Sequence, residues 1–208
     1  MRKLTVTTFV SLDGVMQAPG GPDEDPDGGF EHGGWTVPYF DDQLIQLMTE
    51  VTSRAAALLL GRKTYDIFAA SWPLAEPDDA IGAKLNGMPK YVVSRTLDTV
   101  SWQNSTLLTG DVANAVDELK QGDGGEIQVH GSGELIQTLI EQDLVDEFQV
   151  LVVPVLVGSG KRLFGGGTIP AGLKLVDITT SSTGVVISRY TRDGTLEYGA
   201  MGPETGNW

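Results

Sequence analysis

Three short stretches combine glycine with hydroxyl or cationic side chains where a strand-like pattern gives way to a helix or loop. They are Gly61-Arg62-Lys63-Thr64, Ser94-Arg95 and Gly131-Ser132-Gly133-Glu134-Leu135. A helix N-terminus presents unpaired N–H groups and partial positive charge, so it receives anions. Arg62 and Lys63 add formal charge to the first stretch, and Thr64 adds a hydroxyl donor. In open α/β sheets ligands collect at the carboxyl ends of strands. Three anion-friendly groups at such ends suggest a dinucleotide carrying several phosphates. The plain alternative for each stretch is a solvated turn. Charge sharpens the question: 14 Lys and Arg stand against 28 Asp and Glu, a formal net charge of −14. An anionic cofactor must therefore find a local basic cluster against an unfavourable mean field.

Other motifs fail on inspection. Gly131-Ser132-Gly133 lacks the third glycine of the dinucleotide fingerprint, because Ile136 stands there. Gly158-Ser159-Gly160-Lys161 resembles a phosphate-binding loop, but Val155 replaces the first glycine and Arg162 the Ser or Thr. Asp23, Asp25, Asp27 and Gly28 match the start of a calcium loop, but Gly34 stands where a bidentate Glu is required. A solvated lid is the better reading of that acidic segment. The two histidines, His32 and His130, are far apart and suggest no metal site. No Gly-x-Ser-x-Gly elbow occurs. Without cysteine there are no disulfides, thiolate nucleophiles or Cys-ligated zinc.

The acidic balance argues against nucleic acid, whose affinity comes from Lys and Arg neutralising phosphates, and against anionic membrane surfaces. No stretch approaches the roughly 18–20 apolar residues of a membrane span, and Met1-Arg2-Lys3-Leu4 runs straight into a strand pattern without a secretory core. The expected location is cytoplasmic.

The elements that would position these stretches can be read from periodicity. Leu4 to Val10 reads as a buried strand. A Gly- and Pro-rich loop runs from about 17 to 38, too long to be a simple connection. Leu44, Leu47, Met48 and Val51 fall on one helical face between Tyr39 and Arg54, with Asp41 and Asp42 in the first turn. Strands follow at Ala55–Leu60, Lys90–Ser94, Thr106–Leu108 and Glu126–His130. Helices are expected at Tyr65–Ala70, from Val112 to Gly122, and at Glu134–Glu141. Phe148–Val153 reads as a strand buried on both faces, and Lys174–Thr180 with Val185–Thr191 as a closing antiparallel pair. The alternation argues one α/β domain with a mostly parallel sheet and antiparallel edges. We take the domain as 1–195 and the rest, 196–208, as a frayed tail.

Taken in order, Ser11-Leu12-Asp13-Gly14, Leu59-Leu60-Gly61-Arg62-Lys63-Thr64-Tyr65, Val92-Val93-Ser94-Arg95, His130-Gly131-Ser132-Gly133 and the run Pro154 to Phe164 resemble dihydrofolate reductases. They are more similar still to the reductase domain of the bifunctional riboflavin-biosynthesis deaminase-reductase, and to its stand-alone C-terminal-domain relatives. The resemblance covers about residues 2–192. It implies a dihydrofolate-reductase-like three-layer sandwich of about eight strands with helices on both faces. It implies NADPH as cofactor, with Gly61, Arg62, Lys63 and Thr64 at the phosphates and Ser94 and Arg95 flanking the 2′-phosphate. Gly131, Ser132, Gly133 and Leu135 would line the pyrophosphate and nicotinamide. The substrate would be a small pterin- or pyrimidine-like heterocycle. Asp13 would lie near it beneath the lid, as proton source or merely as a turn residue, and Asp41 or Asp42 would be the other early carboxylates. Trp35 would stand at the substrate pocket or staple the lid onto the first helix. The zinc deaminase is excluded because its metal site needs cysteine. The resemblance also implies a homodimer, to which the long apolar run Val150–Val157 would contribute. The alternative in another class is a module of the same fold that binds NADPH or another nucleotide, or sequesters a drug, without catalysis.

Overall fold

The structure, a computed structural model, describes residues 1–76, 78–165 and 168–202. Eight strands form one sheet: β1 (Leu4–Ser11), β2 (Ala55–Gly61), β3 (Lys90–Val93), β4 (Ser105–Leu108), β5 (Glu126–Val129), β6 (Glu147–Val153), β7 (Leu173–Thr180) and β8 (Val186–Arg192). Their order is β4-β3-β2-β5-β1-β6-β8-β7. The pairs from β4 through β6 are parallel, and β6–β8 and β7–β8 are antiparallel. The parallel strands need crossovers, which are helices α1 (Asp42–Arg54), α2 (Arg62–Ser71), α3 (Ala80–Gly87), α4 (Val112–Gln121) and α5 (Gly133–Glu141).

Alternation along the strands divides the core between two faces. Leu59, Val6, Val129 and Val150 meet Val116 of α4 and Leu135, Ile136 and Leu139 of α5. On the other face Leu58, Leu60 and Val92 meet Tyr65 of α2 and Leu85 of α3, and Leu151 and Val153 meet Leu44 of α1. This is the expected three-layer dihydrofolate-reductase-like sandwich. Strand β6 is buried over nearly its whole length, as its unbroken apolar run requires.

Two local differences from the sequence reading have physical causes. The first helix begins at Asp42 rather than Tyr39, because the Asp41 carboxylate caps it by accepting from the Leu44 N–H. Helix α3 was absent from the sequence reading. Gly82 and Gly87 lower its helix propensity, but Asp79 caps it through the N–H groups of Ile81 and Gly82, and Leu85 is buried in the core beneath it.

The segment 17–38 contains two 3-10 turns, Asp27–Gly29 and Val37–Tyr39. It has a small core of its own, where Val15, Ala18 and Phe30 pack with Trp35 and Val157. The sequence reading sent the run Val150–Val157 towards a subunit interface. Beyond Val153, Val155 packs against the α1 cluster and Val157 against the lid core, and Leu156 between them is 75% exposed. Part of the expected tail, 203–208, lies outside the described residues.

Candidate functional site

The chain moves outward from β1 to β2, β3 and β4, then returns to place β5 between β2 and β1. That reversal puts the turn after β2 beside the turn after β5, at the carboxyl ends of both strands, the place where open α/β sheets hold ligands. The contact is tight. A Cβ on Gly61 would stand 2.4 Å from the Ser132 Cβ and 2.5 Å from its Oγ. Thr64 Oγ1 and Ser132 Oγ lie 2.7 Å apart. Gly131 has φ +142, a backbone that side-chain-bearing residues rarely adopt, and Ser132 follows in the left-handed region at φ 66. Leu135, from the next turn, is buried beneath the junction. The structure thus brings Gly61, Thr64, Gly131, Ser132, Gly133 and Leu135 together.

The caps set these two helices apart. Helices α1, α3 and α4 each begin with an aspartate whose carboxylate accepts from first-turn N–H groups: Asp41, Asp79 and Asp111. Helices α2 and α5 begin at Gly61 and Ser132 with no side-chain cap. Their first-turn donors have no intrahelical partner, and they are the helices that start at the switch point.

The cations are distributed differently from expectation. Arg62 reaches Asp66 one turn along α2 at 3.6 Å. Ser94 is buried, and its Oγ accepts from the N–H groups of Thr96 and Leu97, so it holds the turn after β3. Arg95 is exposed and makes no ion pair among the described residues. Lys63 reaches the acidic lid. Its Nζ donates to Asp25 at 2.9 Å and to Asp27, and Lys161 donates to the same carboxylates at 2.6 and 3.0 Å. The acidic lid is therefore latched rather than solvated. Gln17, 4% exposed, sits behind the latch: its amide donates to the carbonyls of Asp25 and Asp27 and accepts from Lys161 N–H. Only the spatial arrangement shows its role. A cavity of about 300 Å³ adjoins the latch, between Gln17, Phe30 and Gly160.

The latch sets an expected pH and salt response. Hydrogen bonds from Lys63 and Lys161 hold Asp27 at about 2. Burial pushes Asp25 up, but bonds from the same lysines outweigh it and leave Asp25 below its ordinary value. A carboxylate with a depressed folded value stabilises the closed lid above the free value of 3.8, and that contribution fades as pH falls towards 2. The double change Asp25→Asn, Asp27→Asn should mimic this at neutral pH. Amide exchange across 18–34 is expected to rise about tenfold or more, with molar salt giving a smaller rise. Unchanged exchange would show that the small apolar core holds the lid alone.

The two carboxylates expected at the chemistry, Asp13 and Asp41, both make structural hydrogen bonds. The Asp13 carboxylate accepts from Ser11 Oγ at 2.6 Å and from the N–H groups of Val157 and Gly158 at 3.1 and 2.8 Å. Those bonds, led by the one from Ser11, hold it at about 2. It ties the end of β1 to the loop after β6 and remains a carboxylate at neutral pH. Asp41 caps α1 and accepts from Ser182 Oγ and Thr183 N–H; the Ser182 bond leads in holding it at about 2. It joins α1 to the β7–β8 turn. Asp42 is exposed and makes no side-chain hydrogen bond among the described residues. The Trp35 indole N–H donates to the Gln17 carbonyl at 2.8 Å, and its ring bridges the lid core and the α1 cluster. These contacts fasten the lid to the α1 cluster.

His130 precedes the Gly131 turn, and burial holds its imidazole down at about 4. It is neutral at physiological pH, with its ring 6.4 Å from that of Phe68. No group of metal-ligating side chains occurs among the described residues. No helix among them is long and apolar enough to cross a membrane.

This sheet order, with a closing antiparallel pair, is that of a dihydrofolate-reductase-like α/β fold. The chain is similar in structure to dihydrofolate reductase from Enterococcus faecalis complexed with NADP(H), with a TM-score of 0.57 and 12% identity over 92% of this chain and 96% of that one. It is similar also to a pyrimidine reductase-like protein from Corynebacterium diphtheriae, with a TM-score of 0.65 and 14% identity over 92% of each chain. The chain belongs to the RibD C-terminal domain family, whose match spans residues 2–187. The Bacillus subtilis (strain 168) protein YyaP, itself uncharacterised, is 30% identical over 200 residues, which is 93% of this chain and 96% of that protein.

Proposed function

We propose that the protein is an NADPH-dependent reductase of a small pterin- or pyrimidine-like heterocycle. The observation that carries this reading is the pair of uncapped helix N-termini, at Gly61 and Ser132, side by side at the switch point. Two adjacent sets of free N–H donors suit a pyrophosphate, and the glycines allow close backbone approach. Arg95, exposed at the end of β3, suits a 2′-phosphate. Bound there, NADPH would supply the hydride for a C=N or C=O group. The chain's own part is to hold the cofactor's phosphates and to exclude water beneath the lid. The hydrogen bonds that Asp13 and Asp41 accept lower both carboxyls to about 2, which weighs against either as the proton donor. Membership of the RibD C-terminal domain family supports a pyrimidine-like substrate.

One observation favours the second reading, a cofactor-binding module without catalysis: the expected proton donors are tied into the scaffold. NADPH absorbance decay against pterins, flavins, quinones and ribosylaminopyrimidines separates the two. Turnover of at least one heterocycle is expected. Tight NADPH binding with no turnover across the panel would favour the module, and no NADPH binding would refute the reductase.

A further inference from the structure

Helices α1, α2 and α3 cover one face of the sheet with two separate apolar clusters. One lies over β2 and β3, the other over β6 and β8. Strands β5 and β1 run between them, and among the described residues they give these clusters only Phe9. Alternation explains why. Phe9 and Leu151 belong to this face, so Thr5, Thr7 and Gln149 do too. Ile127 and Val129 belong to the opposite face, so Gln128 and His130 belong here. Strands buried on both faces are ordinarily filled with Val, Ile and Leu. Here a polar strip divides the layer at the centre of the sheet and ends at the Gly131 turn.

Much of the strip is paired. Thr7 Oγ1 donates to Gln128 Oε1 at 3.0 Å, and Gln128 Nε2 donates to Glu126 at 2.6 Å. Glu126 faces Arg54 at 3.6 Å, and Glu147 faces Lys3 at 3.6 Å and Arg189 at 3.9 Å. Gln149 is different. It stands beside Thr7 in the register and is 5% exposed, and its Oε1 has no partner among the described residues. Thr5 Oγ1, also buried, is unpaired likewise. A buried acceptor in that state costs free energy unless a bound molecule supplies the donor. Aromatic rings border the upper end of the strip. Phe9 stands 5.4 Å from Phe40, and His130 stands 6.4 Å from Phe68.

We propose that Gln149 is a specificity-determining residue, whose amide reads a neutral ring edge bearing an N–H beside a carbonyl. Oε1 accepts the ring N–H and Nε2 donates to the carbonyl, the pairing that two amides make with one another. A flat heterocycle suits the bordering rings. Both glutamates of the strip are matched by cations, so the strip offers no free carboxylate to a protonated, amidine-like edge. The assignment rests on the reductase reading and adds to it the residue that selects the ring.

Lumazine carries such an edge on a flat bicyclic ring, and 1,3-dimethyllumazine has methyl groups in place of its ring N–H donors. Both can be titrated by fluorescence without cofactor or turnover, while NADPH titration tests the reductase reading separately. Wild type is expected to bind lumazine about tenfold or more tightly than the dimethyl compound. Gln149→Met keeps the volume and removes both polar ends. It should weaken lumazine about tenfold, abolish the difference between the two compounds, and raise the thermal midpoint of the free protein, because an unpaired acceptor has left the interior. Equal affinity of wild type for the two compounds, or no binding of lumazine, would overturn the assignment. So would a Gln149→Met variant that binds lumazine as wild type does, or one whose midpoint falls because the amide had a structural partner.

Discussion

Gly61→Ala is expected to lower NADPH affinity about tenfold or more and to cost about 1–3 kcal/mol of stability. The added Cβ would lie 2.4 Å from the Ser132 Cβ, with its Oγ at 2.5 Å. Neither side yields easily. Gly61 ends a strand buried between β3 and β5, and Ser132 is held at φ 66 by the turn that starts α5. Relief therefore requires the two helix starts to move apart, the one displacement the proposed pyrophosphate site cannot absorb. Adding Ser132→Gly removes the atoms in conflict, and glycine suits that backbone. The double variant should regain most of the stability and part of the affinity. Equal NADPH binding by wild type and Gly61→Ala would show that the cofactor does not use this junction.

Lys90→Met is expected to cost about 2–4 kcal/mol by denaturant unfolding, with the fold retained. Lys90 is 0% exposed, and its Nζ donates to the carbonyls of Leu85, Asn86 and Met88 at 2.7, 3.2 and 2.9 Å. It also stands 4.2 Å from the centroid of the Trp102 ring. Methionine fills the volume but leaves the Leu85 and Met88 carbonyls without their donor, at about 1–3 kcal/mol for each one left buried and unpaired, while the Asn86 carbonyl still accepts from the Gln103 and Asn104 amides. Removing the cost of burying an ammonium offsets part of this. That burial lowers Lys90 from 10.5 to about 8, so it is charged at neutral pH. The unfolded chain then binds this proton more tightly than the folded one, and the group's contribution to stability rises between pH 8 and 10.5. The wild-type advantage over Lys90→Met should widen across that interval. A neutral substitution would mean that water replaces the ammonium at the Leu85 and Met88 carbonyls.

These two residues illustrate what the sequence made legible. Gly61 announced itself, since a glycine between an apolar strand and a cationic helix start reads as a site. Its neighbour across the junction did not, because Gly61 and Ser132 meet only through the return of β5. Lys90 read as the first residue of a strand, and nothing local shows that the chain from Leu85 to Met88 wraps its carbonyls around the ammonium. Most strands and helices were legible because periodicity is a local property. Helix α3 was not, because its glycines hide a helix that Asp79 caps and tertiary packing stabilises. Lys63 shows the limit most clearly. Its type and place fit a phosphate, while the acidic lid 36 residues upstream takes its charge. Asp13 and Asp41 likewise have the right chemistry for proton transfer, and their long-range hydrogen bonds assign them to the scaffold. Of the two uncapped helices only α2 was readable, since Gly61 has no side chain to cap with; Ser132 is a good N-cap by type and is uncapped because its backbone is left-handed and its Oγ pairs with Thr64.

The central claim is that the paired helix starts and Arg95 form an NADPH site. Calorimetric titration of NADPH and NADH into wild type and Arg95→Ala tests it most directly. The account predicts that wild type binds NADPH more tightly than NADH. It predicts that Arg95→Ala loses about 1–3 kcal/mol of NADPH affinity while NADH affinity hardly changes. Equal affinity of wild type for the two cofactors, or no binding of either, would contradict it.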